Sequence, residues 1–527
     1  MSTKIAVATA VALSLAVSPV VAPVAHAQSS APAQGSSSPG SPFAGAQSGP
    51  IFRAVTGVGA DAQSVNFSWR STYNGAEVVR LHPANDPAAV SEVASREADY
   101  GAVAYVSRFA EVTDLTPGVT YTYQIGSEAG GWSKPHSFTI DDGDDTWKFV
   151  AVTDAQIGID LKVAEQANVW RTTAANAAAA NPDASMFVSL GDQVEGWGDL
   201  ITPLGQYNAF FSAPQLRDFR FAAIQGNHET YPTDVSSRHF QEHWNLPNEL
   251  AGTSNYFFEQ NNALFIALNS NLKDDAGLEQ QARFVRDTVA AHGGDKDWII
   301  VLNHFAFHSH GGRYTDSDIV RMRNKLSPVF SEVGVDLVLN GHDHMYNRSH
   351  LMNGPTPQVP DAYAAPGDVL SKDDGEVLYL TLNTAGGGKY YEYEGKDGKE
   401  YPGMTLEESR EKGLNQPTIA FWNQDYTPDY SVVDVSGDAL RVRSVNAADG
   451  SLVDDVTLVH SGEAAAPTAP TTPAPEAPVA AGSSPLLAGT GIAVAILGAL
   501  TALVANLPQA RALIDQAIAQ ISAQFGL

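Results

Sequence analysis

Apolar and polar positions alternate between about residues 49 and 141, in short segments with no long helical pattern among them. At Val65, Phe67 and Trp69, for example, every second residue is apolar, so these three side chains share one face. This period is typical of strands with one buried face, and several short strands in succession are typical of a sandwich. We therefore predict an all-β sandwich over residues 49–141.

A different pattern begins near residue 146. Six continuous apolar runs are typical of strands buried on both faces, and they lie at 147–152, 185–190, 219–224, 263–268, 298–302 and 335–339. Helix-compatible segments lie between some of these runs, at 161–180, 278–291 and 317–332. The alternation predicts an α/β layered domain over residues 146–460, with two mixed sheets flanked by helices.

Both ends of the chain differ from the folded regions and are rich in Ala, Pro and Ser. Residues 1–27 have the pattern of a signal peptide, with Lys4 before an apolar run and small residues at Ala25 and Ala27, and residues 28–48 form a flexible leader. At the other end the pattern predicts a Pro/Ala-rich linker, a hydrophobic anchor segment and a tail, at 461–485, 486–507 and 508–527. We expect an exported protein that is tethered to the extracellular face of the cell envelope through its C-terminus.

A short motif inside the anchor segment offers a second kind of tether. Leu487, Ala488, Gly489, Thr490 and Gly491 resemble the LAxTG sortase signal of Gram-positive bacteria. A sortase would cut after Thr490 and join the protein to the cell wall, whereas a simple anchor would stay in the membrane. The sequence leaves both tethers open.

The net charge and the cysteine content limit the kinds of partner and of metal ligand that this chain can have. The chain has 527 residues, a formal net charge of -28 and no cysteine. The acidic excess argues against a nucleic-acid scaffold as a partner, because phosphate backbones are bound by Lys and Arg. A small phosphorylated substrate stays compatible, since metal ions reverse the local field. Without thiolates, a metal ion must be bound by His, Asp, Glu, Asn or Tyr.

Such ligands follow the ends of the predicted strands. In chain order they are Asp154, Asp192, Asn227 with His228, His304, and His342 with His344. Ligands of α/β domains bind beyond the carboxyl ends of strands, so these side chains should converge. Two hard cations about 3.5–4 Å apart can share a carboxylate, clamp a phosphoryl group and lower the pKa of bound water. A nearby histidine can then protonate the departing alkoxide.

Two stretches in this series, GNHE (226–229) and GHDHMYNR (341–348), resemble the calcineurin-like metallophosphoesterase superfamily. With the sandwich in front, the chain is most similar to bacterial purple acid phosphatase-type enzymes over about residues 49–460. The resemblance implies two metal ions, with Asp154 and His344 on the first, Asp192 bridging both, and Asn227, His304 and His342 on the second. It also implies His228 as the proton donor and, with Asn227, as a contact of the phosphate.

The N-terminal domain resembles a fibronectin type III sandwich. Tyr121 follows a turn that contains Leu115 and Pro117, and in such sandwiches a tyrosine of this kind ties the turn to the strand. Tyr121, Tyr123 and Ile125 are expected on one buried face.

Members of the superfamily place a further histidine or tyrosine on the substrate after the block that contains His304. Here the candidates for catalysis are His308 and His310, and those for substrate binding are His308, Arg313 and Tyr314. Spacing does not choose among them.

The chain departs from the family pattern at two positions. Purple acid phosphatases carry, three residues after the bridging aspartate, a tyrosine whose bond to ferric iron gives the colour, and here that residue is Glu195. Other members have a histidine two residues after the first aspartate, and here that residue is Gln156. Gln156, Glu195 or water would complete the first metal. We predict a colourless enzyme and leave Fe, Zn and Mn open.

Three functions fit these observations. The first is an exported phosphatase that hydrolyses phosphate monoesters by metal-hydroxide attack, with His228 as the proton donor. The second is a phosphodiesterase that uses the same site on nucleotides, lipid head groups or wall polymers. The third is a catalytically weak surface binding protein on the same scaffold.

The two ends of the chain generate a prediction about location. We expect the protein to sediment with the cell envelope when cells are fractionated and probed with an antibody to the folded region. Recovery of the intact chain in the culture medium alone would contradict the tether.

Overall fold

A computed structural model describes residues 50–98, 100, 105–196, 202–231 and 238–462. The predicted signal peptide, the anchor segment with its sortase-like motif, and the C-terminal tail lie outside these residues. Among the residues described, no helix is long and apolar enough to cross a membrane.

The strands within these residues are β1 (Ile51–Val58), β2 (Val65–Ser71), β3 (Val78–Pro83), β4 (Ser91–Ala94), β5 (Arg96–Ala98), β6 (Val106–Val112), β7 (Thr120–Ser127), β8 (Gly131–Trp132), β9 (His136–Thr139), β10 (Trp147–Val152), β11 (Met186–Ser189), β12 (Arg220–Ala223), β13 (Tyr256–Gln260), β14 (Ala263–Leu268), β15 (Trp298–Asn303), β16 (Leu337–Asn340), β17 (Tyr346–Ser349), β18 (Leu351–Asn353), β19 (Thr356–Gln358), β20 (Asp368–Lys372), β21 (Glu376–Thr381), β22 (Ile419–Asn423), β23 (Asp429–Val435), β24 (Leu440–Asn446) and β25 (Leu452–His460). The helices are α1 (Val163–Ala180), α2 (Thr202–Phe210), α3 (Gln215–Asp218), α4 (Arg238–His243), α5 (Asp275–His292), α6 (Ser317–Val333) and α7 (Leu406–Glu411).

Three sheets contain these strands. The first is 11-stranded, in the order β20-β25-β24-β23-β10-β11-β12-β1-β2-β6-β5. The second has the order β13-β14-β15-β16-β21-β17-β22, with β18 paired to β21 and β19 to β18. The third has the order β4-β3-β7-β8, with β9 paired to β7.

The α/β domain is built from the first two sheets packed face to face. Phe149 and Met186 from the first sheet share one core with Phe265 and Ile300 from the second. The outer face of the first sheet packs on α1 through Trp170, and α5 and α6 cover the outer face of the second. Strands of both sheets are therefore buried on both faces, which explains their continuous apolar runs and confirms the predicted layers.

The sandwich consists of the third sheet and the outer strands of the first. Its core contains Phe67, Trp69, Tyr123 and Ile125, as the alternation predicted. The backbone N–H of Thr116 donates to the Tyr121 hydroxyl at 3.0 Å, so the predicted tie between turn and strand is present.

One sheet passes through both regions, which the sequence pattern did not predict. β1 of the sandwich pairs in parallel with β12 of the α/β domain, with Gly57 opposite Phe221. The Tyr123 hydroxyl reinforces this junction, since it donates to the backbone oxygen of Arg217 at 2.9 Å. The sandwich is therefore fixed to the strand that carries Asn227 at its end.

A buried ion pair holds the sandwich interior together. The Glu77 carboxylate accepts from Trp69 Nε1 at 2.7 Å and from Ser71 Oγ at 2.8 Å, and it lies 3.1 Å from Arg108 Nε. The Glu77 and Arg108 side chains are 0% and 1% exposed. The Arg108 charge therefore depends on Glu77 and on one further, half-exposed partner, Glu97 at 3.0 Å.

We predict that Glu77→Gln lowers the free energy of unfolding by about 3 kcal/mol, because it removes the buried negative charge that neutralises the Arg108 guanidinium. Urea unfolding followed by tryptophan fluorescence measures the change. The matched control is Glu332→Gln, which removes the exposed partner of Arg286 and should leave the unfolding curve unchanged. Equal curves for the two variants would contradict the role given to the buried pair.

Candidate metal centre

Parallel strands bring the candidate ligands to one edge of the α/β domain. β10, β11 and β12 are adjacent and parallel, and the segments that follow them carry Asp154, Asp192 and Asn227. In the second sheet, β15 and β16 are likewise parallel neighbours and are followed by His304 and His342. Because the carboxyl ends of parallel strands meet at one edge, residues far apart in the sequence lie together.

Carboxylate oxygens and imidazole nitrogens face each other in two pairs. Asp154 Oδ1 lies 3.2 Å from His344 Nε2, and Asp192 Oδ2 lies 3.1 Å from His304 Nε2, neither with the geometry of a hydrogen bond. Ligand atoms of Asp192, His304 and His342 also lie within 4.8 Å of one another. Two donors about 2.1 Å from one ion and about 90° apart would be separated by about 3.0 Å. The pairs therefore have the spacing of shared metal ligands.

Backbone carbonyls orient two of the imidazoles. His304 Nδ1 lies 2.6 Å from the backbone oxygen of Leu190, and His344 Nδ1 lies 2.7 Å from that of Lys389. A carbonyl oxygen only accepts, so each Nδ1 carries the hydrogen and each Nε2 is turned toward a carboxylate. This is the usual arrangement behind a histidine that binds a metal.

Electrostatics at the centre favour positive charge. Burial lowers the pKa of His304, but the Asp192 carboxylate outweighs it and raises that pKa to about 10. Burial likewise works to raise the pKa of Asp192, and the imidazoles of His304 and His228 hold it well below its usual range. A metal ion bound by Asp192 and His304 would supply positive charge in the same place.

Buried polar atoms that have no hydrogen-bond partner indicate whether these residues could bind a metal ion. Among the buried side-chain atoms described, Asp154 Oδ1, Gln156 Oε1, Asn227 Oδ1 and His304 Nε2 have no hydrogen-bond partner. Unpartnered buried atoms also occur elsewhere among the described residues, but these four belong to the loops that carry the candidate ligands, where a bound group would satisfy them. Carboxylate, amide and imidazole donors are those that hard and borderline cations prefer, so the residues present fit a metal centre.

The ligand loops interlock so closely that two motif glycines cannot carry a side chain. A Cβ on Gly226 would lie 2.1 Å from Asp192 Oδ1, and one on Gly341 would lie 2.6 Å from Asp154 Oδ2. The ligands themselves adopt left-handed backbone conformations, with φ of 50° at Asp154 and 48° at Asp192. Strain of this kind persists only where the surroundings enforce it.

Glu229 enforces this backbone and was not assigned from the sequence. Its buried carboxylate accepts from the backbone N–H groups of Gly226 at 2.7 Å, Asp192 at 2.9 Å and Gln193 at 2.7 Å. Burial, with a contribution from the Asp192 charge, raises the pKa of Glu229 to about 8. Glu229 therefore positions the backbone of Asp192, and in the sequence only the last letter of GNHE pointed to it.

Gln156, Glu195 and His228 form one hydrogen-bonded group beside the ligands. The Gln156 amide nitrogen donates to Glu195 Oε2 at 2.7 Å and lies 2.8 Å from His228 Nε2. His228 Nδ1 lies 2.6 Å from the backbone oxygen of Glu195, and the His228 backbone N–H donates to Asp192 Oδ1 at 2.9 Å. His228 is therefore fixed at the edge of the proposed bridging ligand.

His308 and His310 lie in the protein interior. His308 Nδ1 is 3.1 Å from Thr418 Oγ1. His310 Nδ1 is 2.8 Å from the backbone oxygen of Glu394, and its Nε2 accepts from the backbone N–H of Gln416 at 3.4 Å. Neither joins the group of ligand atoms formed by Asp192, His304 and His342 within the described residues. A catalytic role for either stays a prediction.

Arg313 and Tyr314, the other two candidates, point in different directions. The Tyr314 ring packs under Arg323 at 4.0 Å and its hydroxyl accepts from Thr418. Arg313 instead donates from Nη2 to the Tyr391 hydroxyl at 2.9 Å, with 34% of its side chain exposed. Of these two residues, only Arg313 is therefore linked to a candidate metal ligand. Its partner Tyr391 lies edge-on to His344, with the two ring centres 5.3 Å apart.

Lys389 adds a second cation beside Tyr391, and no local pattern of the sequence pointed to it. Its ammonium lies 4.5 Å from the centre of the Tyr391 ring, while its backbone oxygen accepts from His344. Arg313, Tyr391 and Lys389 therefore form a cationic rim next to the candidate metal ligand His344.

Comparison with known proteins agrees with this geometry. Residues 148–346 match the family described as calcineurin-like phosphoesterase, and residues 53–140 match the purple acid phosphatase N-terminal domain. Purple acid phosphatase 1 of Ipomoea batatas is 25% identical over 170 residues, covering 31% of this chain and 35% of the relative. Purple acid phosphatase 18 of Arabidopsis thaliana is 27% identical over 164 residues, covering 30% and 35%.

The fold is also found in a solved structure. A purple acid phosphatase isolated from yellow lupin (Lupinus luteus) seeds matches with a TM-score of 0.62 at 15% identity, over 78% of this chain and 75% of that one. The sequence matches span only 35% of the length of each curated relative named above. The chain therefore contains a calcineurin-like phosphoesterase domain preceded by a purple acid phosphatase N-terminal domain, in the order that the sequence predicted.

Proposed function

We propose that this protein is a dinuclear-metal phosphatase that hydrolyses phosphate monoesters. The observation that carries the proposal is the pair of facing carboxylate–imidazole contacts, Asp154 with His344 and Asp192 with His304. Asn227 and His342 complete the second metal in this proposal, and Asp192 lies between the two. The sequence pattern at the chain ends supports the further proposal that the enzyme acts outside the cell.

Each residue has a defined task in this proposal. When bound, two such ions supply positive charge for the phosphoryl oxygens and lower the pKa of water. His228 stands beside Asp192 with Nδ1 fixed by the Glu195 carbonyl, so its Nε2 is the atom that would deliver a proton to the departing oxygen. For that step Nε2 must take up a proton and exchange its contact with Gln156 for one with the substrate.

The cationic rim of Arg313, Tyr391 and Lys389 favours monoesters over diesters. A phosphate monoester carries a charge of about -1.5 to -2 near neutral pH, as a phosphorylated side chain does, whereas a diester carries only one negative charge. Two basic side chains beside His344 attract the more highly charged group. This attraction is local, since the chain as a whole carries a formal charge of -28.

We expect Asp192→Ala to lose bound metal and to lower kcat for an aryl phosphate monoester by about 10³-fold or more, because metal ions contribute several kcal/mol to such reactions. Elemental analysis and initial rates measure the two effects. The wild-type protein should also hydrolyse the monoester faster than a bis-aryl diester.

The matched control for this variant is Asp183→Ala, at a carboxylate that is 67% exposed and paired with Lys148. It should retain both metal and activity. Full metal content and activity in Asp192→Ala would overturn the proposed centre, whereas faster cleavage of the diester would overturn the monoester preference alone.

His228→Ala should retain metal, because the backbone N–H of residue 228 still donates to Asp192. Its kcat should fall by about 10²–10⁴-fold for an alkyl phosphate, whose leaving group needs a proton, and much less for a nitrophenyl phosphate. A series of phosphate esters with graded leaving-group pKa gives the comparison. Equal losses across the series would remove the acid role from His228.

A further inference from the structure

Gln156, two residues after Asp154, has a buried side-chain oxygen without a hydrogen-bond partner. The residue is 2% exposed, and its Oε1 accepts no hydrogen bond. Its backbone N–H donates to the backbone oxygen of Asp192 at 2.8 Å, so the loops of Asp154 and Asp192 run side by side here. A buried acceptor without a donor destabilises the folded protein unless another group satisfies it.

Two neighbours independently determine which end of the Gln156 amide is the oxygen. The amide atom 2.7 Å from Glu195 Oε2 must be the nitrogen, because a carboxylate oxygen accepts. The same atom lies 2.8 Å from His228 Nε2. That ring atom is an acceptor too, since His228 Nδ1 uses its hydrogen on the Glu195 carbonyl. A flipped amide would set its oxygen against two acceptors, so Oε1 faces away from both.

The free oxygen belongs to a set of donors from neighbouring loops. Asp154 Oδ1 and Asn227 Oδ1 are also buried and also lack a hydrogen-bond partner. Carboxylate and amide oxygens of this kind are the ligands that hard and borderline cations prefer. Glu195, by contrast, has its Oε2 engaged with the Gln156 amide and is not in this set.

We propose that the Gln156 side-chain oxygen is a ligand of the first metal ion, and that Glu195 holds the amide in the orientation this requires. The inference rests on the proposed function, because it presupposes the dinuclear centre. It assigns the first position a neutral oxygen ligand, where the resemblance implied the phenolate of a tyrosine or the imidazole of a histidine.

The charges of the ligands then indicate whether the first ion is divalent or trivalent. A phenolate with a ferric ion and a neutral amide with a divalent ion leave the same net charge at the first position. The carboxylates of Asp154 and Asp192 are the only charged ligands among those assigned from the described residues, so two divalent ions would leave an excess of positive charge for a phosphate dianion. The centre therefore suits a pair of divalent ions and contains no phenolate to give colour.

Calorimetric titration of the metal-free full-length chain with Zn²⁺ tests this ligand without using activity. Wild type should bind two equivalents. Gln156→Leu should bind one equivalent as tightly as wild type and the other at least about 10-fold more weakly, as expected when a supporting or direct ligand is lost. Gln156→His, which restores a donor atom, should recover two tight equivalents.

Glu195→Gln is the matched control, because its side-chain oxygen still accepts from the Gln156 amide, and it should bind two equivalents. Circular dichroism and melting of each metal-free variant establish that it is folded. Two unchanged equivalents in folded Gln156→Leu would overturn the inference, as would loss of an equivalent in Glu195→Gln alone. An iron-loaded protein with a tyrosinate-type visible absorption band would overturn it as well.

The same titration separates this inference from the proposed function. If Asp192→Ala also binds two equivalents with wild-type affinity, the dinuclear centre itself fails. If Asp192→Ala loses metal while Gln156→Leu does not, the centre stands and only the role of Gln156 fails.

Discussion

Two buried carboxylates, Asp154 and Asp192, are the constraint on which the rest of this structure depends. Each is about 1% exposed and lies about 3 Å from an imidazole nitrogen. A buried carboxylate is costly unless opposite charge accompanies it. The left-handed backbone at both residues adds strain, and the Glu229 carboxylate opposes that strain at Asp192 by accepting three backbone N–H groups. The surrounding loops are thus organised to hold negative charge in place for a cation.

The layers of the fold explain why the centre lies where it does. Both sheets of the α/β domain are buried on both faces, so their strands are rigid and their ends are well defined. The first sheet continues into the sandwich through β1 and β12, which fixes the strand that precedes Asn227. Arg313 and Lys389 both contact Tyr391, whose ring lies against the candidate metal ligand His344.

Much of the α/β fold could be predicted from the sequence. Continuous apolar runs predicted β10 and β14 at their observed bounds, and a helix-compatible segment predicted α6 within one residue. These elements follow from local periodicity, which reports burial directly. The pairing of β1 with β12 could not be predicted, because it joins Gly57 to Phe221 and no local period reports a partner so distant. Lys389 was missed for the same reason, as it reaches His344 only through the fold.

The sequence alone determined the set of donor types at the site. It has no cysteine, it places Asp, Asn and His after buried strands, and it has Gln156 and Glu195 where the family resemblance implies histidine or tyrosine. Only the tertiary structure decided which atoms of those side chains are free. Both ring nitrogens of His310 have hydrogen-bond partners, in Glu394 and Gln416. Glu195 and His228, in contrast, both contact the amide nitrogen of Gln156, so the amide oxygen has no hydrogen-bond partner. The physical reason is that hydrogen-bond partners in a buried site come from separate loops, and their directions exist only once the strands have paired.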